Sequence, residues 1–130
     1  MKMVCGMSTT DKLQGLKVFV VEDEAIIAMM LEDMLSDLGC NVIGPCTGLK
    51  QAHEMLAGAE TPNVAILDVN VGGEQVYPVA TALKERGVPL VFATGYGSVG
   101  LAEVWRACVT VQKPYTQDDI VRALGMAVGA

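Results

Sequence analysis

Short apolar runs alternate with longer amphipathic stretches along most of the chain. The runs at residues 16–21, 42–44, 64–68, 90–94 and 109–112 predict five strands. Three of them, containing Val18-Phe19-Val20-Val21, Val64-Ala65-Ile66-Leu67 and Leu90-Val91-Phe92-Ala93, are apolar at every position instead of every second one. Such strands are covered on both faces, as in a parallel sheet between layers of helices. Between them lie helical patterns at 24–38, 48–56, 77–86, 99–106 and 117–128. The first carries Ile27, Met30, Leu31, Met34, Leu35 and Leu38 on one stripe and stops at Gly39. Pro78 suits the first turn of the third, and Thr116 with Asp119 three residues on resembles a capping box at the start of the last. Residues 1–14 lack periodicity and are expected to form a flexible leader outside the fold, leaving 15–130 as one doubly wound α/β domain.

Composition narrows the function. The 130 residues are 52% hydrophobic and 18% charged, which is too apolar for a disordered chain. No run reaches the ~18 uninterrupted apolar residues that a bilayer requires. A net charge of -6 argues against a nucleic-acid partner, which needs clustered Lys and Arg. Cys5, Cys40, Cys46 and Cys108 show no C-x-x-C spacing, and His53 is the sole histidine. That pattern fits neither a zinc site nor a disulfide framework. With no apolar signal-peptide core near the N-terminus, a cytoplasmic setting without membrane contact is expected.

Ligands of doubly wound folds bind beyond the carboxyl ends of the strands. There the chain places Glu22 and Asp23 after strand 1, Asp68 at the end of strand 3, Thr94 and Gly95 at strand 4, and Lys113-Pro114 after strand 5. Carboxylates gathered at one edge repel unless a cation neutralises them. Mg²⁺ fits, because it accepts one or two carboxylates together with waters and phosphate oxygens. Lys113 and Thr94 supply a charge and a hydroxyl donor for a phosphoryl group, which makes Asp68 a candidate for aspartyl phosphorylation.

With these residues in that order, the chain resembles the receiver domain of two-component response regulators over roughly residues 16–128. The resemblance implies a flavodoxin-like five-stranded parallel sheet in order 2-1-3-4-5 with five helices, the first and fifth on one face and the others opposite. It implies Asp68 as phosphoacceptor, with Asp23 and the main-chain carbonyl of Asn70 binding Mg²⁺ and Glu22 acting through water. Thr94 and Lys113 would contact the phosphoryl oxygens, and small Gly95 would leave room for their entry. A histidine kinase or phosphotransfer protein would be the donor, and, since the receiver takes up residues 15–130, output would run through contact with a downstream protein, a phosphorelay or a role as phosphate sink. Such a domain catalyses only its own phosphorylation and dephosphorylation and is not an enzyme in the ordinary sense.

The stretch Pro89-Leu90-Val91-Phe92-Ala93-Thr94-Gly95-Tyr96 is similar to the fourth-strand signature of the subgroup nicknamed FAT GUY, whose members are often single-domain regulators paired with HWE-type kinases. Thr110 departs from the family, where a Tyr or Phe commonly swings inward on activation. Ordering of the glycine-containing segment 95–108 is the expected substitute. Trp105 and Tyr115 flank the final strand and are open to a partner-contact role, and His53 reads as an ordinary surface or half-buried residue. The match of Gly95-Tyr96-Gly97-Ser98-Val99-Gly100 to a dinucleotide fingerprint follows the wrong strand and has no acidic residue ending the next one. A Mg²⁺-dependent aspartyl phosphatase of the haloacid-dehalogenase type would want an Asp where Asn70 stands. The competing class is an interaction module that binds its partner whatever its phosphorylation state.

Overall fold

The computed structural model describes residues 9–58 and 60–129. Five parallel strands form one sheet: β1 (Lys17–Val21), β2 (Asn41–Cys46), β3 (Val64–Asp68), β6 (Leu90–Thr94) and β7 (Val109–Gln112). Their spatial order is β2-β1-β3-β6-β7. Strands β4 (Asn70–Val71) and β5 (Glu74–Gln75) form a separate hairpin, so the main sheet has the expected 2-1-3-4-5 arrangement. The α-helices are α1 (Thr9–Leu13), α2 (Ala25–Asp37), α3 (Leu49–Gly58), α4 (Tyr77–Glu85) and α5 (Gln117–Val128).

The continuous apolar strands are buried on both faces, as their composition requires. On one face Phe19, Leu67 and Phe92 pack with Leu56 of α3 and Val79 and Leu83 of α4. On the other, Val18, Ile66 and Val91 pack with Leu31 and Leu35 of α2 and Ile120 and Leu124 of α5. No helix among the described residues is long and apolar enough to cross a membrane.

Edge strand β2 contains the one irregularity of the sheet. Phe19 pairs with Ile43 but Val21 with Cys46, so β2 carries one residue more than β1 over this interval. Gly44 and Pro45 absorb it, which an edge strand tolerates. Gly44 has φ +106, and a Cβ there would lie 2.8 Å from both Val20 O and Cys46 N. The bulge brings Cys46 O to the Glu22 amide, which donates to it at 2.9 Å and fixes the chain as it leaves β1.

Three expectations need correction. The segment predicted as a helix at 99–106 instead forms two 3-10 turns, Gly97–Gly100 and Glu103–Trp105. Leu101 and Ala102 between them are extended, with ψ 150 and 148, and the Ala102 amide donates to Tyr77 Oη at 2.8 Å, a bond to another element. On α2 the buried side chains are Ala28, Leu31 and Leu35, while Met30 is 50% exposed, so the inward stripe is narrower than its apolar pattern. Finally, part of the expected leader is helical. Leu13 is fully buried in the α2/α5 core, its carbonyl accepts from Cys40 Sγ, and the Gly15 amide donates to Gly39 O at 2.8 Å. Residues 1–8 of that leader lie outside the described residues.

Leu13→Ala should therefore destabilise the domain by about 2–4 kcal/mol, the cost of emptying a buried leucine site. Urea unfolding checks this, since a leucine in a loose leader would cost almost nothing.

Candidate functional site

The register of the sheet assembles the site. Val21 pairs with Leu67, which brings Glu22 and Asp23 beside Asp68. Asp68 pairs with Ala93, so Thr94 follows next to it on β6. Thr94 pairs with Gln112, and the Lys113 amide donates to Thr94 O at 2.9 Å, holding the lysine at the same edge. Carboxylate oxygens of Glu22, Asp23 and Asp68 all lie within 4.8 Å of one another. Lys113 Nζ stands 3.0 Å from Glu22 Oε1 and 3.3 Å from Asp68 Oδ1.

Each side chain is held by its neighbours. Glu22 is 2% exposed, and its second oxygen accepts from the Glu24 amide at 3.1 Å at the start of α2. Asp23 Oδ2 accepts from the Gly72 amide at 2.9 Å. Gly72 and Gly73 form the two-residue turn of the β4–β5 hairpin, with φ 59 and 83, the left-handed pair that such tight hairpins require. Asn70 heads this hairpin and is exposed. Thr94 is buried, and its hydroxyl accepts from the Tyr96 amide at 3.0 Å. A Cβ on Gly95 would meet nothing within 4 Å, so that position is open.

Three carboxylates face one ammonium in a partly desolvated place. Burial, and then the charge of Glu22, push the Asp68 carboxyl from 3.8 up to about 7 against the opposing pull of Lys113. Burial pulls the Lys113 ammonium down, but the hydrogen bonds and charges of Glu22 and Asp68 outweigh it, so its proton is held more tightly than usual. The excess negative charge makes the edge an acidic pocket with oxygen ligands only, the donor set of a hard divalent cation.

Five of the six sequence-predicted site residues thus meet at one rim, and Asn70 lies two residues past Asp68 at the head of the hairpin whose turn amide binds Asp23. Sequence reasoning missed Gly72, although Val71-Gly72-Gly73-Glu74 carries the Gly-Gly signal of a tight hairpin. It also left Trp105 and Tyr115 open, and both are buried at 8% and 9% exposure. Trp105 stacks on Tyr77 with ring centroids 5.8 Å apart. The Tyr115 hydroxyl is buried without a hydrogen-bond partner among the described residues, and burial followed by the charges of Glu22 and Asp68 pushes its phenol up. His53 is exposed, as expected. Burial raises the Cys40 and Cys46 thiols, the latter to about 11, which makes both poor nucleophiles.

The sequence pattern described as "Response regulator receiver domain" matches residues 18–125. The solution structure of SdrG from Sphingomonas melonis Fr1 superimposes with a TM-score of 0.78 at 38% identity, covering 95% of this chain and 100% of that one. The receiver domain of the PhyR response regulator of Erythrobacter litoralis gives a TM-score of 0.79 at 25% identity, covering 91% of this chain and 93% of that one. Among curated proteins, the transcriptional regulatory protein PdtaR of Mycobacterium tuberculosis is 29% identical over 86% of this chain and 56% of its own length. The phyllosphere-induced regulator PhyR of Methylorubrum extorquens is 32% identical over 62% of this chain and 31% of its own length. The chain spans about half the length of PdtaR or less of such relatives.

The crowding of carboxylates has a measurable consequence. The Asp68 carboxyl titrates near 3.8 when free and at about 7 in the fold, so the folded state binds the extra proton between those values. Stability of the metal-free domain therefore falls as pH rises through that window. Asp68→Asn removes this contribution. In urea unfolding without divalent cations, the variant should match the parent below pH 4 and exceed it by about 1 kcal/mol or more at pH 8.

Proposed function

The chain belongs to the response regulator receiver domain family, and we propose that Asp68 accepts a phosphoryl group from the phosphohistidine of a histidine kinase or phosphotransfer protein. The observation that carries this reading is the meeting of three carboxylates within 4.8 Å of one another at the end of the sheet, with Lys113 at 3.0 and 3.3 Å from two of them. Asp68 is the one that ends a central strand, at the middle of the rim.

The donor set fits Mg²⁺. The site offers only oxygen ligands, with three carboxylates gathered within 4.8 Å of one another, which is the donor chemistry of a hard divalent cation. Asp23, Asp68 and the Asn70 carbonyl would hold the ion, and Glu22 would act through water. When bound, the ion neutralises carboxylate charge and phosphoryl charge together.

In the transfer, an Asp68 carboxylate oxygen attacks phosphorus as the phosphorus–nitrogen bond to the donor imidazole breaks, and the imidazole leaves with its electron pair and takes up a proton. Lys113 turns its ammonium to the phosphoryl oxygens, and the Thr94 hydroxyl donates to one of them. In a later, separate step a water attacks phosphorus and gives up a proton to solvent, the acyl phosphate O–P bond breaks, and the Asp68 carboxylate is regenerated as inorganic phosphate leaves.

An apolar surface next to the acceptor suits a docking donor. Ile26, Met29 and Met30 on α2 are at least half exposed, and a cavity of ≈ 340 Å³ lies among Ile27, Met30, Lys113, Pro114 and Tyr115. The modified domain then signals by contact with a downstream protein. The likeness to SdrG and to PhyR receivers supports placing it with the FAT GUY subgroup and its HWE-type kinases.

Acetyl phosphate should label the domain once, on Asp68, only with Mg²⁺ present, and Asp68→Asn should take no label. Lys113→Ala should slow labelling at least about tenfold. Intact-mass spectrometry with peptide mapping reads all three. Label on another residue, or labelling indifferent to Mg²⁺, would overturn this assignment of Asp68, and no label from any donor would replace it with a phosphorylation-independent interaction module.

A further inference from the structure

Gly100 packs its backbone directly onto the hydroxyl of Thr94. A Cβ at position 100 would lie 2.6 Å from Thr94 Oγ1 and 3.2 Å from Tyr96 Cβ, the first distance being one that real Cβ atoms essentially never show. Eight glycines of the described residues have positive φ, and Gly100 is not among them. Its backbone conformation therefore does not call for glycine; the space beside Thr94 does.

Neither side of this contact yields easily. Thr94 is 4% exposed and β-branched, so its χ1 is stiff. The chain just beyond Gly100 is anchored: Leu101 is 2% exposed, the Ala102 amide donates to Tyr77 Oη at 2.8 Å, and Trp105 stacks on Tyr77. On the other flank the Tyr96 amide donates to Thr94 Oγ1 at 3.0 Å. A hydroxyl that accepts one hydrogen bond still has its own proton to donate. With the Tyr96 amide on one lone pair and Gly100 closing one side, the oxygen is fixed while its proton stays available.

We propose that Gly100 is a positioning residue for phosphoryl transfer, and that its missing side chain holds the Thr94 hydroxyl where it donates to the incoming phosphoryl group. This rests on the phosphoacceptor reading of Asp68 and adds a residue that touches neither phosphoryl group nor metal. A methyl at position 100 displaces the hydroxyl and removes its contribution without altering any carboxylate or the lysine.

A double-mutant cycle tests it, with acetyl phosphate labelling in Mg²⁺ as one readout and the Tyr96 amide resonance as the other. Gly100→Ala should slow labelling about as much as Thr94→Ala, on the order of tenfold or more. The double variant should be no slower than Thr94→Ala within about twofold, because the glycine acts only through that hydroxyl. The Tyr96 amide should shift in Gly100→Ala as it does in Thr94→Ala. Gly100→Ala labelling at the parental rate, effects that multiply in the double variant, or an unmoved Tyr96 amide would each overturn the proposal. If Gly100→Ala fails to fold, the double variant should recover the melting behaviour of Thr94→Ala, and a double variant that stays unfolded overturns it. A parent chain that takes no label removes the phosphoacceptor reading and this proposal together, whereas a labelled parent with an unimpaired Gly100→Ala removes only the latter.

Discussion

The structure is organised around an imbalance of charge. Glu22, Asp23 and Asp68 gather their oxygens within 4.8 Å of one another, and among the described residues Lys113 alone answers them from within the cluster. In water such a group would disperse, since separation relieves repulsion at little cost. Here the sheet register forbids dispersal: each group follows directly from, or ends, a strand whose neighbours are locked by main-chain hydrogen bonds and by side chains buried on both faces. The packing energy of Phe19, Leu67 and Phe92 on one side and Val18, Ile66 and Val91 on the other thus holds together charges that would otherwise part. The site stores its repulsion, and a cation or a proton relieves it.

That storage is what makes one carboxylate chemically distinct from the others. Glu22 is the most buried, but the Lys113 ammonium and the Glu24 amide engage both of its oxygens. Asp23 gives one oxygen to Gly72. Asp68 has only a shared lysine to offset its burial and the charge of Glu22, and its carboxyl is accordingly pushed up to about 7. An acid beside a lysine and a threonine hydroxyl, with repulsion that a divalent ion can cancel, has the attributes of a nucleophile awaiting its cation.

The sheet was legible because three strands are apolar without alternation, a signal that survives local detail. The rim followed, since residues ending parallel strands must share an edge whatever the loops do. The rest depended on contacts with no period. Leu13 enters the core as a single apolar residue among polar neighbours, and one residue carries no pattern. The segment 97–105 has a helical scatter of apolar residues, yet Leu101 and Trp105 are drawn into the core and Tyr77 takes the Ala102 amide, so tertiary contacts override local preference. Met30 looked inward on the apolar stripe of α2, but Ala28 takes a buried place and Met30 stays half exposed. Glycine carried two meanings that composition cannot separate: Gly72 serves a turn with φ 59, whereas Gly100 serves a close approach at an ordinary φ.

The same segment bears on how a signal leaves the rim. Thr110 offers no ring to swing, and the glycine content of 95–108 suggests a coil that orders on activation. The structure points to a different balance of forces. The far end of the segment is already fixed by Leu101, by the stack of Trp105 on Tyr77 and by Lys84 lying 5.6 Å over the Trp105 ring. The near end is tied to Thr94 through the Tyr96 amide and the Gly100 contact. Between these anchors Tyr96, Val99 and Val104 are 78%, 74% and 82% exposed. A segment tethered at both ends, with these three side chains outside, has little chain entropy left to lose and apolar surface left to cover. What the segment has left to gain lies in covering those side chains, far more than in ordering its backbone.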